Sequence, residues 1–63
     1  MAIETRVAQK EKLFALLRVK KGYESAGEKV LPVLKEAIYY ALAAMEAEDI
    51  AHIEKQVAEL DFD

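Results

Sequence analysis

The segment VLKEAIYYALAAMEA, residues 33–47, decides how this chain folds. Its apolar residues recur every three or four positions, and this spacing places them on one face of an α-helix. The central stripe of that face consists of Leu34, Ile38, Ala41 and Met45. Behind the stripe lie mostly alanines and the pair Tyr39-Tyr40, whose rings we expect at the edge of the core with their hydroxyls in water. The segment predicts a helix over 32–47 that other helices contact on most sides.

A second apolar pattern follows directly. Its members, at 3-4-3 spacing, are Ile50, Ile53, Val57 and Leu60. This seam predicts a helix over 49–61, and as a straight continuation it would lie about a third of a turn away from the preceding stripe. We therefore expect a break near Glu48, with Asp49 as the N-cap of the last helix. A gently bent continuous helix is the alternative.

The N-terminal part of the chain predicts a helix over about 3–21. Its stripe, at 4-3-4-3 spacing, is Ile3, Val7, Lys10, Phe14, Leu17 and Lys21. Leu16 and Val19 face the opposite way, so this helix is contacted from two directions. Gly22 is the expected residue that ends it, because glycine adopts the left-handed conformation at little cost.

Residues 22–31 form the predicted turn between these helices. Ser25-Ala-Gly-Glu28 has the spacing of a capping box, which favours a short helix starting there. Pro32 then either kinks a helix that runs through it or lies in the first turn of a new one, because proline lacks a backbone donor. The sequence leaves both arrangements open.

Charge is divided unevenly along the chain. Residues 1–23 hold six basic and two acidic side chains, whereas residues 24–63 hold three basic and ten acidic ones, for a net charge of −3. Such a division favours packing of the two halves on each other, within one chain or between two.

Size and composition limit how the chain gains stability. At 63 residues it forms one domain, residues 1–63, near the lower limit for independent folding. It contains no cysteine and a single histidine, which removes disulfides and leaves little for a structural metal. Helix packing and self-association therefore remain as sources of stability.

The predicted fold class is all-α: a small antiparallel helical hairpin or three-helix unit that assembles as a homo-oligomeric bundle, a dimer or larger. Ten residues are predicted to form the interface with a second copy or with a partner protein. They are Phe14, Leu17, Leu34, Ile38, Tyr39, Tyr40, Ala41, Met45, Ile53 and Val57.

One alternative concerns residues 2–8, where β-branched side chains at positions 3, 5 and 7 alternate with Glu4 and Arg6. This alternation also suits a short strand. A strand, a helix, the glycine-containing turn at 22–28 and a second helix together resemble the ribbon-helix-helix repressors and antitoxins. The resemblance implies a dimer whose two-stranded ribbon lies in the major groove of DNA and whose C-terminal tail binds a toxin.

A second alternative is a metal site. Glu48 or Asp49 lies one helical turn before His52, an arrangement similar to the carboxylate–histidine pairs of di-iron helical bundles. The other interpretation of His52 is a solvated side chain in an acidic first turn.

The main functional prediction is a small, non-catalytic interaction or regulatory protein that acts on a protein partner through a helical oligomeric surface. No catalytic residues and no cofactor are predicted, because one histidine, one serine and one threonine do not assemble a nucleophilic triad. The expected location is the cytoplasm, since no segment resembles a signal peptide or approaches the ~20 apolar residues of a membrane span. Nucleic acid ranks below protein as a partner, because the basic residues of the first helix point all round it.

Overall fold

The computed structural model describes residues 3–60 and consists of three α-helices. They are α1 (Ile3–Ser25), α2 (Pro32–Ala43) and α3 (Ala47–Ala58). No strand occurs in this part of the chain, so the predicted all-α class is confirmed. Residues 3–8 are helical, which removes the ribbon that the DNA-binding alternative requires. Residue 2 of that alternative and residue 61 of the predicted last helix lie outside the described residues.

The first helix is longer than predicted, because Gly27 rather than Gly22 ends it. Gly27 has a φ of 75°, the left-handed conformation that favours glycine. Its amide donates to the carbonyl of Glu24 at 3.1 Å, and the amide of Glu28 donates to the carbonyl of Tyr23 at 2.9 Å. These two bonds form a Schellman motif, which satisfies the last carbonyls of α1. The predicted capping box at Ser25–Glu28 is therefore wrong.

The second helix begins at Pro32, which decides between a kink and a restart. Leu31 is the N-cap, with an extended backbone (φ −66°, ψ 141°), and Pro32 occupies the first helical position. Proline suits this position because its missing amide would have no partner inside the helix. The Leu31 carbonyl accepts the amides of Leu34 and Lys35 at 3.0 and 3.1 Å, which closes the first turn.

The break between α2 and α3 comes earlier than predicted. Helix α2 ends at Ala43, not at residue 47, and Glu46 rather than Asp49 is the N-cap of α3. The Glu46 carbonyl accepts the amide of Ile50 at 3.0 Å, and α3 starts at Ala47, two residues before the predicted first residue. Asp49 is the third residue of the helix and has a different role, described below.

Helices α2 and α3 both pack against α1. Arg6 near its start bonds to Asp49 in the first turn of α3, and Lys21 near its end bonds to carbonyls at the end of α3. Helices α1 and α3 therefore run in the same direction. The start of α2 lies beside Lys20 and Glu24 of α1, and its end lies beside Gln9 and Lys12.

All three helices contribute to the core. Its buried apolar residues are Leu13, Ile38, Ala41, Ile53 and Val57. Packed against them are the partly buried Phe14, Leu16, Leu17, Leu34, Leu42, Met45, Ile50 and Leu60. The stripe predicted for α2 and the seam predicted for α3 thus both face the interior.

The stripe predicted for α1 faces the interior only in part, from Lys10 to Lys21. Ile3 and Val7 are exposed, and Leu13, predicted beside the stripe, is its fully buried centre. Lys10 and Lys21, which belong to the predicted stripe, do contact α3, whereas Ile3 and Val7 lie beyond the buried cluster.

Candidate interaction surface

Side-chain hydrogen bonds and ion pairs join α1 to α3. The guanidinium of Arg6 donates to both carboxylate oxygens of Asp49, from Nε at 3.1 Å and from Nη2 at 2.9 Å. The Asp49 side chain is only 8% exposed, and Lys10 Nζ lies 3.9 Å from the same carboxylate. Two-pronged bonding of this kind fixes geometry as well as charge. Asp49 is thus a buried anchor of α3 on α1 and not a helix cap.

The ion pair changes the acidity of both partners. The hydrogen bond from Arg6 holds the pKa of Asp49 below its ordinary value, against the opposing effect of burial. The same bond raises the pKa of Arg6. Exposed Glu46 and Glu48 lie 3.8 and 3.5 Å from the guanidinium and add a weaker attraction.

A second basic side chain holds the other end of α3. Lys21 Nζ donates to the carbonyl oxygens of Val57 at 2.7 Å, Ala58 at 3.2 Å and Leu60 at 2.8 Å. The last carbonyls of a helix have no partner within it and carry partial negative charge, so a lysine there satisfies both requirements. Arg6 and Lys10 pair with the acidic Asp49, so the basic and acidic halves meet within one chain, and Lys21 adds bonds to the backbone of α3.

In contrast to the polar α1–α3 contacts, the surface of α2 exposes large aromatic side chains. Tyr39 and Tyr40 are 69% and 70% exposed, and their rings meet edge to face with centroids 5.7 Å apart. The prediction that these rings are buried at the edge of the core is wrong. Two neighbouring residues of a helix point about 100° apart, and the core side of α2 is already occupied by Ile38 and Ala41.

The ten residues predicted for an interface divide into two groups. Eight of them belong to the interior of the chain, either buried or packed against the buried residues: Phe14, Leu17, Leu34, Ile38, Ala41, Met45, Ile53 and Val57. Tyr39 and Tyr40 alone of the ten are freely exposed. Sequence reasoning did not place the exposed Val19, Leu31 and Val33 in the interface, although Val19 had been recognised as facing away from the first stripe.

The residues of the metal alternative do not converge. His52 is exposed and its Nε2 lies 3.4 Å from the Gln56 side chain, while the Asp49 carboxylate is bound to Arg6. Among residues 3–60, no group of three or more histidine, aspartate or glutamate side chains is placed to hold a metal ion.

The grooves that the described residues form are open to solvent. One of them, about 840 Å³, lies at the α1–α2 turn between Lys20, Glu24, Lys29 and Lys35. None of the helices within residues 3–60 combines the length and apolarity needed to cross a membrane.

No protein-family model, curated protein or solved structure shows significant similarity to this chain.

Proposed function

We propose that this chain is a small, non-catalytic interaction protein of the cytoplasm, which presents an apolar helical surface to a protein partner. The observation that carries the proposal is the exposure of two adjacent tyrosines on α2, a helix whose charged residues are Lys35 and Glu36 alone. Tyrosine combines a large apolar ring with a hydroxyl that bonds, and it is enriched at protein interfaces.

The exposure of other large apolar side chains supports the same conclusion. Besides the two tyrosines, five large apolar side chains are about half or more exposed: Ile3, Val7, Val19, Leu31 and Val33. Single exposed apolar residues are ordinary, but groups of them on one surface mark contact sites. A chain with 54% hydrophobic residues and such a small core therefore has much apolar surface left for association.

The positions of the residues whose types commonly act in catalysis support a non-catalytic role. The Asp49 carboxylate is bound to Arg6, and exposed His52 has Gln56 as its side-chain partner. Ser25, at the end of α1, and Thr5, in its first turn, are both exposed and lie on different parts of the helix. A nucleophile needs a base within hydrogen-bonding reach, and these residues do not supply that arrangement.

Site-specific photocrosslinking in the native cell tests the proposal. A photoreactive phenylalanine analogue replaces Tyr39 in one variant, Tyr40 in a second and exposed Gln56 of α3 in a third. We expect protein adducts from position 39 or 40 and much weaker ones from position 56. Absence of adducts at both tyrosine positions, with the variants expressed and folded, would contradict an interaction role for α2.

A further inference from the structure

We propose that the partner of this surface is a second copy of the chain, bound to the side of the α1–α2 pair that faces away from α3. This inference rests on the proposed function and names its occupant. We define the α1–α2 face by six residues: Val19 and the partly buried Leu16 and Tyr23 of α1, and Val33 and Tyr40 of α2 with its C-cap Ala44.

Helix α2 contributes its outer side to this face. Val33, Tyr40 and Ala44 are separated by seven and four residues, so they lie along one side of the helix. Val33 is 68% exposed, almost as much as Tyr40. Tyr40 and Ala44 line a shallow groove together with Gln9 and Lys12 of α1, which shows that this side of α2 borders α1.

Helix α1 contributes the matching side. Leu16, Val19 and Tyr23 follow the same helical spacing, and Val19 is 50% exposed. At 100° per residue, they lie about 140° around α1 from Arg6, Lys10 and Lys21, which hold α3. Helix α3 therefore covers one side of the α1–α2 pair and leaves this side uncovered.

Charge favours a second copy on this face. Lys12 borders it from α1, and Glu36 borders it from α2, next to Val33 and Tyr40 on the helix surface. One base and one acid make the face neutral, so two copies meet without an excess of like charge. The outer side of α3 differs, because its exposed Glu54 and Glu59 outnumber Lys55 and would repel a second copy, while Glu46 and Glu48 lie beside Arg6.

The chain also exposes more area than expected for a folded monomer of its mass. It exposes 4751 Å², whereas a folded monomer of 7.1 kDa exposes about 4,100 Å². Burial of this excess, about 650 Å², on each of two copies would give an interface of about 1,300 Å², within the range of stable protein interfaces. A face of two antiparallel helices buried against its copy gives a four-helix layer, a common way for short helices to complete a core.

Sedimentation equilibrium of the purified full chain across the micromolar range tests this inference, with variants in two matched pairs. Tyr40→Ser changes the face, whereas Tyr39→Ser removes an equally exposed ring that points towards Lys20, Lys35 and Leu42 instead. Val19→Ser changes the face, whereas Val7→Ser changes a valine that is 48% exposed beside Arg6 and Lys10. Circular dichroism confirms that each variant is folded.

We expect a wild-type dimer whose dissociation constant rises about tenfold or more in Tyr40→Ser and Val19→Ser and less than about threefold in the two controls. A dimer that all four variants weaken equally, or that none weakens, would overturn the assignment of the face. A monomeric wild-type chain would overturn the second copy as occupant. Photocrosslinking of position 40 to a different protein would, in that case, leave the proposed function standing.

Discussion

Replacing Leu13 by alanine tests the packing of the three helices at its centre. Leu13 has no exposed surface and is the largest fully buried side chain of the described residues. It belongs to one cluster with Ile38 of α2 and with Ile53 and Val57 of α3. Its removal leaves a cavity that no single helix can close by a small shift, because the lining comes from three separate elements.

The expected loss is large relative to the stability of so short a chain. Leucine-to-alanine changes in protein cores cost about 2–5 kcal/mol, depending on how far the surroundings relax. A chain of 63 residues has a free energy of unfolding of about 3–9 kcal/mol, at about 0.05–0.15 kcal/mol per residue. We expect Leu13→Ala to lower it by about 3 kcal/mol, a third or more of the total.

Urea unfolding followed by circular dichroism measures this loss, at one fixed protein concentration because self-association also stabilises the fold. Leu31→Ala is the matched control, since Leu31 is half exposed and its role as the N-cap of α2 uses only the backbone. We expect the control to lose less than about 1 kcal/mol. Equal losses in the two variants, or an unchanged midpoint for Leu13→Ala, would refute the assigned core.

Three further changes test particular contacts. Arg6 holds the pKa of Asp49 below its ordinary value of 3.8. The pair therefore stabilises the fold above pH 3.8, and this stabilisation is lost as the pH falls through the lowered pKa. We expect the urea midpoint of Asp49→Asn to fall less on acidification than that of the wild type. Lys21→Met removes three bonds to the end of α3, and we expect faster amide exchange in its last turn and a loss of about 1–2 kcal/mol in the free energy of unfolding. Gly27→Ala should cost about 1 kcal/mol, because alanine is strained at a φ of 75°, whereas Gly22→Ala inside α1 should gain about 0.5–1 kcal/mol in thermal or urea unfolding.

Each of these changes has an outcome that would contradict it. Identical acid sensitivity of Asp49→Asn and the wild type would mean that the ion pair does not form in solution. Unchanged exchange in Lys21→Met would show that the end of α3 is held by other contacts. A stabilising Gly27→Ala, or a destabilising Gly22→Ala, would restore Gly22 as the residue that ends α1.

The periodic parts of the fold are the ones that the sequence predicts. Ile38 and Ala41 of α2, and Ile53 and Val57 of α3, are buried as their spacing indicates. Apolar periodicity succeeds there because each helix has one side turned to the core. It fails at the start of α1, where Ile3 and Val7 continue the pattern but extend beyond the buried cluster.

The ends of the helices and the ion pair are harder to predict, because local rules accept several residues. Gly22 and Gly27 both suit the end of a helix, but α1 continues past Gly22 and ends before Gly27. Asp49 has the right chemistry for an N-cap, but its partner Arg6 lies 43 positions away, beyond the reach of any local rule. The opposite charges of the two halves predict that they pack on each other, but they do not indicate which residues pair.

The candidate surface depends on what the core leaves exposed. The sequence shows that α2 is apolar on most sides, but the position of α3 decides which side stays open. That position depends on the core residues of α3 and on the bonds that Arg6, Lys10 and Lys21 make to it, and apolar spacing alone does not predict those bonds.

Cysteine accessibility tests the central claim most directly, because the chain has no native cysteine. Val33→Cys places a thiol on the α1–α2 face, and Ala51→Cys places one on the exposed side of α3. Both positions are exposed in a single chain, so only a bound second copy makes them differ in purified protein. At high concentration we predict that a maleimide modifies Val33→Cys several times more slowly than Ala51→Cys, after each rate is divided by that of the urea-unfolded chain. Equal corrected rates would contradict burial of the α1–α2 face by a second copy.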